Sequence, residues 1–180
     1  MARLKELYQK TILPELKTEL GLSNDLAVPR IEKVVVNAGL GRVLTQEPKR
    51  LDLIIDHFAK IVGQKPVATR ARQAISAFKI RAGQIVGLSC TLRGRRMYEF
   101  LDKLVNVALP RSRDFRGLSK TGFDGHGNYT CGIREHIIFP EMVQEEALGA
   151  FGFEITVVTT ASTNEQAYRL LKKLGFPFRE

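Results

Sequence analysis

Apolar residues recur along this chain at two spacings, one near three and a half residues and one of two. Near the start, Leu4, Leu7, Tyr8 and Thr11 fall on one helical face, and Leu13, Leu16 and Leu20 extend the stripe. Pro14 should kink or restart that helix. Residues 31–38 are rich in Val and predict a strand, and Gly39-Leu40-Gly41 predicts a turn. A helix follows with Pro48 in its first turn, Leu51, Ile54, Ile55, Phe58 and Val62 along one face, and Gly63 as its stop. Residues 65–69 predict a short strand. The segment 85–93 alternates, with Val86, Leu88, Cys90 and Leu92 on one side and Gly87, Ser89, Thr91 and Arg93 on the other.

The second half continues in the same way. Met97, Phe100, Leu101, Leu104 and Ala108 predict a helix that ends before Pro110. Residues 111–128, rich in Gly, Arg and Asp, predict a loop, residues 129–139 are β-like, and residues 141–150 suit a short helix. A strand is expected over 155–160. Ser162 and Glu165 form a capping box for a last helix, in which Ala167, Leu170, Leu171 and Leu174 precede the terminating Gly175 and Pro177. No repeat, low-complexity tract or linker divides residues 1–180. The expectation is one α+β domain, a mostly antiparallel sheet with helices packed on one face and the other face open.

Charge sharpens this picture. The 180 residues include 28 Lys and Arg against 19 Asp and Glu, a formal charge of +9. Half of the basic residues lie within 60–120, where the only acids are Glu99, Asp102 and Asp114. So concentrated a positive region is self-repelling until a polyanion neutralises it. No segment has the length and apolarity of a membrane span, and Arg3, Lys5, Glu6 and Lys10 interrupt any signal-peptide apolar stretch. A soluble, cytoplasmic protein is expected.

Catalytic and cofactor patterns are weak. Gly39-x-Gly41 lacks the third glycine of a dinucleotide loop, Leu44 standing there, and there is no phosphate-binding G-x-x-x-x-G-K-[ST]. Cys90 and Cys131 lack the spacing of a metal knuckle, and His57, His126 and His136 do not share metal-ligand spacing. On a β-like segment, Cys131 and His136 would lie on opposite faces and could not act as nucleophile and base. No cofactor is expected. What remains is polar strand faces carrying Lys33 and Asn37, Ser89, Thr91 and Arg93, and Thr156 and Thr160, whose side chains suit RNA backbone, 2′-hydroxyl and base-edge contacts. The strands lack aromatic residues on those faces, so a base-stacking sheet is not expected.

Several separated motifs carry a resemblance. They are Val28-Pro29-Arg30-Ile31-Glu32-Lys33, Gly63-Gln64-Lys65-Pro66 through Thr69-Arg70-Ala71-Arg72, Thr91-Leu92-Arg93-Gly94, Leu109-Pro110-Arg111 with Asp114-Phe115-Arg116-Gly117, Phe123-Asp124-Gly125 with Gly127-Asn128-Tyr129, and Gly175-Phe176-Pro177-Phe178. In this order, across nearly the whole chain, they resemble the bacterial large ribosomal subunit protein five family, which binds 5S rRNA. The resemblance implies an α+β, ribosome-bound, non-enzymatic protein of the central protuberance. Its implied partners are 5S rRNA, 23S rRNA, P-site tRNA, a small-subunit head protein and neighbouring 5S-binding ribosomal proteins.

Carried onto this sequence, the resemblance assigns the 5S contact to Lys33, Asn37, Gln64, Lys65, Thr69, Thr91, Arg93 and Thr160. It assigns a tRNA-proximal loop to Arg72, Gln73, Ser76, Phe78, Lys79 and Arg81, expected to be extended and mobile. A subunit bridge would use Arg111, Arg113, Arg116, Arg134, Glu141 and Glu145. Ala38 stands where members often have Met, and Arg42 where an acid is frequent. A stand-alone RNA chaperone and an RNA-modifying enzyme are the competing readings.

Overall fold

The computed structural model describes residues 3–113, 115–142 and 151–179. Among these, five strands form one sheet in the order β2-β3-β1-β5-β4. They are β1 (Ile31–Gly39), β2 (Val67–Arg70), β3 (Ile85–Leu92), β4 (Tyr129–Ile133) and β5 (Phe153–Thr159). Val67 faces Ser89 and Thr69 faces Gly87 in an antiparallel ladder. The Leu40 N–H donates to the Val86 carbonyl, the Asn37 amide reaches Glu154, and the Thr130 and Thr156 hydroxyls lie 3.0 Å apart. In each of these pairs one strand runs forward as its neighbour runs back, so the sheet is antiparallel and the α+β expectation holds.

The chain divides into two compact units, one of residues 1–34, 92–131 and 156–180, the other of residues 35–91 and 132–155. In the second unit, α4 (Leu51–Val62) buries Ile54, Phe58, Ile61 and Val62, with the Phe58 ring edge-on to Phe153 at 5.3 Å. It stops where expected, because Gly63 adopts φ 76°, which a side chain would resist. Val34, Val36 and Ala38 of β1 and Leu88 and Cys90 of β3 are buried, whereas Val35, Asn37, Ser89 and Thr91 are half-buried or exposed. Gly41–Gln46, next to the expected turn, is a short helix, α3.

In the first unit, α1 (Arg3–Leu7) passes through a π turn at Tyr8–Ile12 into α2 (Leu13–Glu19). The buried stripe is Leu4, Tyr8, Ile12 and Leu16, while Leu7 and Thr11 are exposed, which corrects the face read from the sequence. Likewise α5 (Gly94–Lys103) continues through a π turn at Leu104–Ala108 into α6 (Leu109–Arg111), so this helix does not end before Pro110. The last helix, α7 (Asn164–Lys173), is capped one residue later than expected. Thr163 accepts from the Gln166 N–H, and the Gln166 side chain accepts from the Ser162 N–H.

One further expectation changes, and another falls mostly outside the described residues. The β-like run 129–139 is strand only to Ile133, and His136–Ile138 is a 3-10 turn, so the opposite-face argument for Cys131 and His136 does not apply. Cys131 is buried, and that burial pushes its thiol up to about 12, away from the thiolate. The helix expected at 141–150 lies outside the described residues from 143 onward, and Pro140–Met142 forms a 3-10 turn.

Candidate nucleic-acid interface

The exposed side of β1, β2 and β3 in the second unit gathers five of the residues expected to contact 5S rRNA. Period-two alternation sets the pattern, since Asn37 and Thr91 each stand between two buried neighbours in sequence, and Thr69 pairs across the ladder with Gly87. Gln64 follows the Gly63 helix stop and donates from Nε2 to the Thr91 carbonyl at 3.4 Å. Lys65 beside it is exposed. The Asn37 side chain is held as well, its Nδ2 donating to Glu154 Oε2 at 3.2 Å. That bond fixes which way the amide points and leaves Oδ1 turned away from the carboxylate as an acceptor.

Glu154 is the residue that sequence reasoning missed. Counting back by two from Thr156 and Thr160 puts it on the open face, so the signal was present. A carboxylate repels phosphate, and here it accepts from Asn37 Nδ2 and so orients that amide. Gly87, also on this face, is buried between strands. A Cβ there would lie 2.7 Å from the Ala38 carbonyl oxygen and 2.9 Å from Thr69 Oγ1. The glycine is what allows β1 and Thr69 to close on β3.

In the first unit the sheet side contributes Lys33, Arg93 and Thr160. Arg93 donates from a terminal guanidinium nitrogen to Glu32 at 3.4 Å, and Thr160 Oγ1 accepts from the Arg30 N–H at 3.0 Å. Arg93 also precedes α5, whose first turn exposes Arg95 and Arg96. Cations at a helix N-terminus oppose the helix dipole. Arg95 is offset by Glu99 at 2.6 Å.

The 72–81 segment is not extended. Ala71 and Gln84, then Ile75 and Ile80, pair across it, Ser76–Phe78 forms a 3-10 turn, and Lys79 adopts φ 54° to close the tip. Local backbone hydrogen bonds give the segment this shape. Arg72, Gln73, Ser76, Phe78, Lys79 and Arg81 are all exposed on it, Phe78 at 69%. Ile75 and Ile80 line a shallow apolar hollow with Ala71, Arg72, Gln73 and Val86.

Of the bridge residues, Arg111, Arg113 and Arg116 are exposed in the first unit, and Arg134 and Glu141 in the second; Glu145 lies outside the described residues. The Phe123-to-Tyr129 motif is a built turn. Asp124 Oδ1 accepts from the His126 and Asn128 N–H groups, and Asn164 Oδ1 accepts from those of Gly125 and Gly127. The Asn128 side chain, then the His126 N–H, holds the Asp124 carboxyl below its ordinary range. Among the described residues no three His, Cys, Asp or Glu converge as a metal site, and no helix is long and apolar enough to cross a membrane.

Comparison with known proteins identifies the family. Residues 24–81 match the family model described as ribosomal protein L5, and residues 85–178 match the model for the C-terminus of the same ribosomal family. The chain is 53% identical over its full length to the large ribosomal subunit protein uL5 of Halothermothrix orenii, covering all of that protein. It is 52% identical over full length to that of Herpetosiphon aurantiacus, and 54% identical to that of Acidobacterium capsulatum over 99% of this chain and 98% of the other. With both halves of the chain matched in order and relatives at this identity from end to end, the chain belongs to the ribosomal protein L5 family.

Proposed function

We propose that this protein is a structural component of the large ribosomal subunit and binds 5S rRNA through the exposed side of its sheet. The observation that carries this reading is the set Asn37, Gln64 and Thr91. These are short polar groups on exposed strand positions or at a strand edge, two of them held in place by hydrogen bonds to Glu154 and to the Thr91 carbonyl. Groups of that kind read base edges and 2′-hydroxyls, while Lys33, Lys65 and Arg93 supply attraction to phosphate. Thr69 and Thr160 extend the polar surface. Contact with 23S rRNA and with neighbouring 5S-binding proteins belongs to the same reading.

The exposed 72–81 hairpin would approach P-site tRNA, with Arg72, Lys79 and Arg81 meeting phosphate and Phe78 meeting an RNA surface. Arg111, Arg113 and Arg116, together with Arg134, Glu141 and Glu145, would face a protein of the small-subunit head. The test is competition binding of labelled 5S rRNA against an unrelated structured RNA. Substituting Asn37, Gln64 and Thr91 together by Ala should abolish the preference for 5S rRNA while urea unfolding stays cooperative. An unchanged preference would rule this surface out. For the hairpin, replacing residues 74–79 with a short Gly-Ser connection should preserve 5S binding and lower P-site tRNA retention on assembled ribosomes.

A further inference from the structure

The first unit carries an aromatic cluster outside the strand positions discussed above. Its floor is buried: Tyr129 is 1% exposed, with its hydroxyl donating to the Ser119 carbonyl at 2.9 Å, and Phe176 is 3% exposed. Above the floor lie three half-buried rings, Phe123, Tyr168 and Phe178. Their centroids are 5.0 Å apart for Tyr168 and Phe178, 5.9 Å for Phe123 and Phe178, and 6.4 Å for Phe123 and Tyr168.

Core packing explains the floor and does not explain what frames the outer layer. Lys120 Nζ lies 5.4 Å from the centre of the Tyr168 ring and Lys172 Nζ lies 5.9 Å from it. Both lysines are exposed, and among the described residues neither has an ion-pair partner. Their neighbours differ, Lys173 being paired with Glu15 and Glu19 and Arg169 with Glu165. Arg179, next to Phe178 in the chain and exposed as well, donates from Nε to the Gly117 carbonyl at 2.9 Å, and among the described residues its terminal nitrogens have no partner.

Tyr168 packs on Phe178 and Phe123 yet is only half-buried, and the groups over its ring are the ammoniums of two exposed lysines, so part of the ring stays open. An exposed cation–π contact is weak, and an ammonium that gives up the ring for a phosphate exchanges it for a stronger partner. Aromatic faces interleaved with unpaired cations are the composition of sites that hold single-stranded RNA, where bases stack and the backbone is neutralised alongside. We propose that Phe123, Tyr168 and Phe178, with Lys120, Lys172 and Arg179, form a second RNA-contact surface that takes an unpaired nucleobase and its flanking phosphates. It shares no residue with the sheet surface proposed for 5S rRNA.

The protein has four Tyr and no Trp, and Tyr8, Tyr98 and Tyr129 are buried, so quenching of its intrinsic fluorescence reports on Tyr168. The probe is a mixed-sequence single-stranded RNA hexamer, titrated into the full-length chain carrying Ala at 37, 64 and 91 so that the sheet surface does not contribute. The hexamer should quench the fluorescence, and Tyr168→Leu should weaken binding, measured by anisotropy of a labelled hexamer, by about tenfold or more. Tyr168→Phe, which keeps the ring and the fold, should bind within about twofold of the parent. Lys120→Gln with Lys172→Gln should reduce the log-log salt slope by roughly 1.4, as for two phosphate contacts to a single strand. The proposal is overturned if Tyr168→Leu, confirmed folded by circular dichroism, binds the hexamer as the parent does. It is also overturned if an abasic hexamer of equal charge or a polyglutamate peptide binds equally well, since either would show a charged surface without base recognition.

Discussion

Two glycines of the same sheet make opposite predictions on replacement by Ala. At Gly87 an added Cβ would sit 2.7 Å from the Ala38 carbonyl oxygen and 2.9 Å from Thr69 Oγ1, while at Gly132 it would meet nothing within 4 Å. Ordinary carbon–oxygen contact needs about 3.4 Å, so at Gly87 about 0.7 Å must open against the carbonyl and about 0.5 Å against the hydroxyl. The Ala38 carbonyl belongs to the central strand and cannot retreat alone. Overpacking of this kind costs about 1–3 kcal/mol. Gly132→Ala has no such opposition and narrows the unfolded ensemble, which should stabilise by about 0.4–1 kcal/mol. Urea unfolding followed by far-ultraviolet circular dichroism measures both. Because Thr69 and Ala38 border the proposed RNA surface, Gly87→Ala should also weaken 5S rRNA binding, whereas Gly132→Ala should not alter it through this clash. If Gly87→Ala is neutral or stabilising, the close approach does not exist in solution and the geometry assigned to this face is wrong.

Acid should weaken the second unit through His136, which is 1% exposed and stacks on Phe151 at 3.9 Å. Burial, then the neighbouring His57, lowers its pKa from 6.5 to about 4. The folded state therefore favours the neutral ring, and its stabilising effect is complete above pH 6.5 and is lost as pH falls towards 4, by about 3 kcal/mol in all. Unfolding free energies measured across that window in His136→Phe should show a correspondingly shallower slope; an identical slope would clear His136 of the effect. Glu154→Gln should raise affinity for unrelated RNA, by removing a repulsive charge, and lower the preference for 5S rRNA, by loosening Asn37; competition binding reads both, and a preserved preference refutes the orienting role. If ~5 phosphates are neutralised, 5S affinity should follow salt with a log-log slope of roughly −3.5 to −4.5, and a slope near zero would remove the electrostatic part of the reading.

The strands were legible because alternation is a strict code. Once Val34, Val36 and Ala38 are assigned inward, Asn37 has one place to go, and the same holds for Thr91 beside Leu92. What alternation does not carry is pairing between strands distant in sequence. Glu154 could be placed on the open face by counting, yet its bond to Asn37 depends on β5 lying beside β1, which only the folded chain supplies. The aromatic and lysine cluster has the same character, since Lys120, Phe123, Tyr168, Lys172 and Phe178 come from three separate segments. The turn within 72–81 was not legible for another reason. Its shape comes from backbone hydrogen bonds and one left-handed residue, Lys79, and neither leaves a hydrophobic period to count.

The two prolines show where a sound local rule gives way to packing. Pro14 and Pro110 each sit at the second position of a helical segment that directly follows a π turn. In these turns the Leu13 N–H donates to the Tyr8 carbonyl and the Leu109 N–H to the Leu104 carbonyl, five residues back in place of four. The hydrogen-bond register thus slips by one just ahead of the residue that lacks a donor, and the helix passes the ring without stopping. The apolar residues had announced this slip. Leu4, Tyr8, Ile12 and Leu16 are buried at intervals of four, as are Met97, Leu101, Val105 and Leu109. In an α-helix an interval of four drifts about 40° per step, which would carry the fourth residue well off the stripe. A turn with wider register takes back much of that drift and keeps all four against the core. Spacing of four sustained through a proline is therefore evidence for a continuous helix with a π turn, and here it outweighs the expectation that proline ends it.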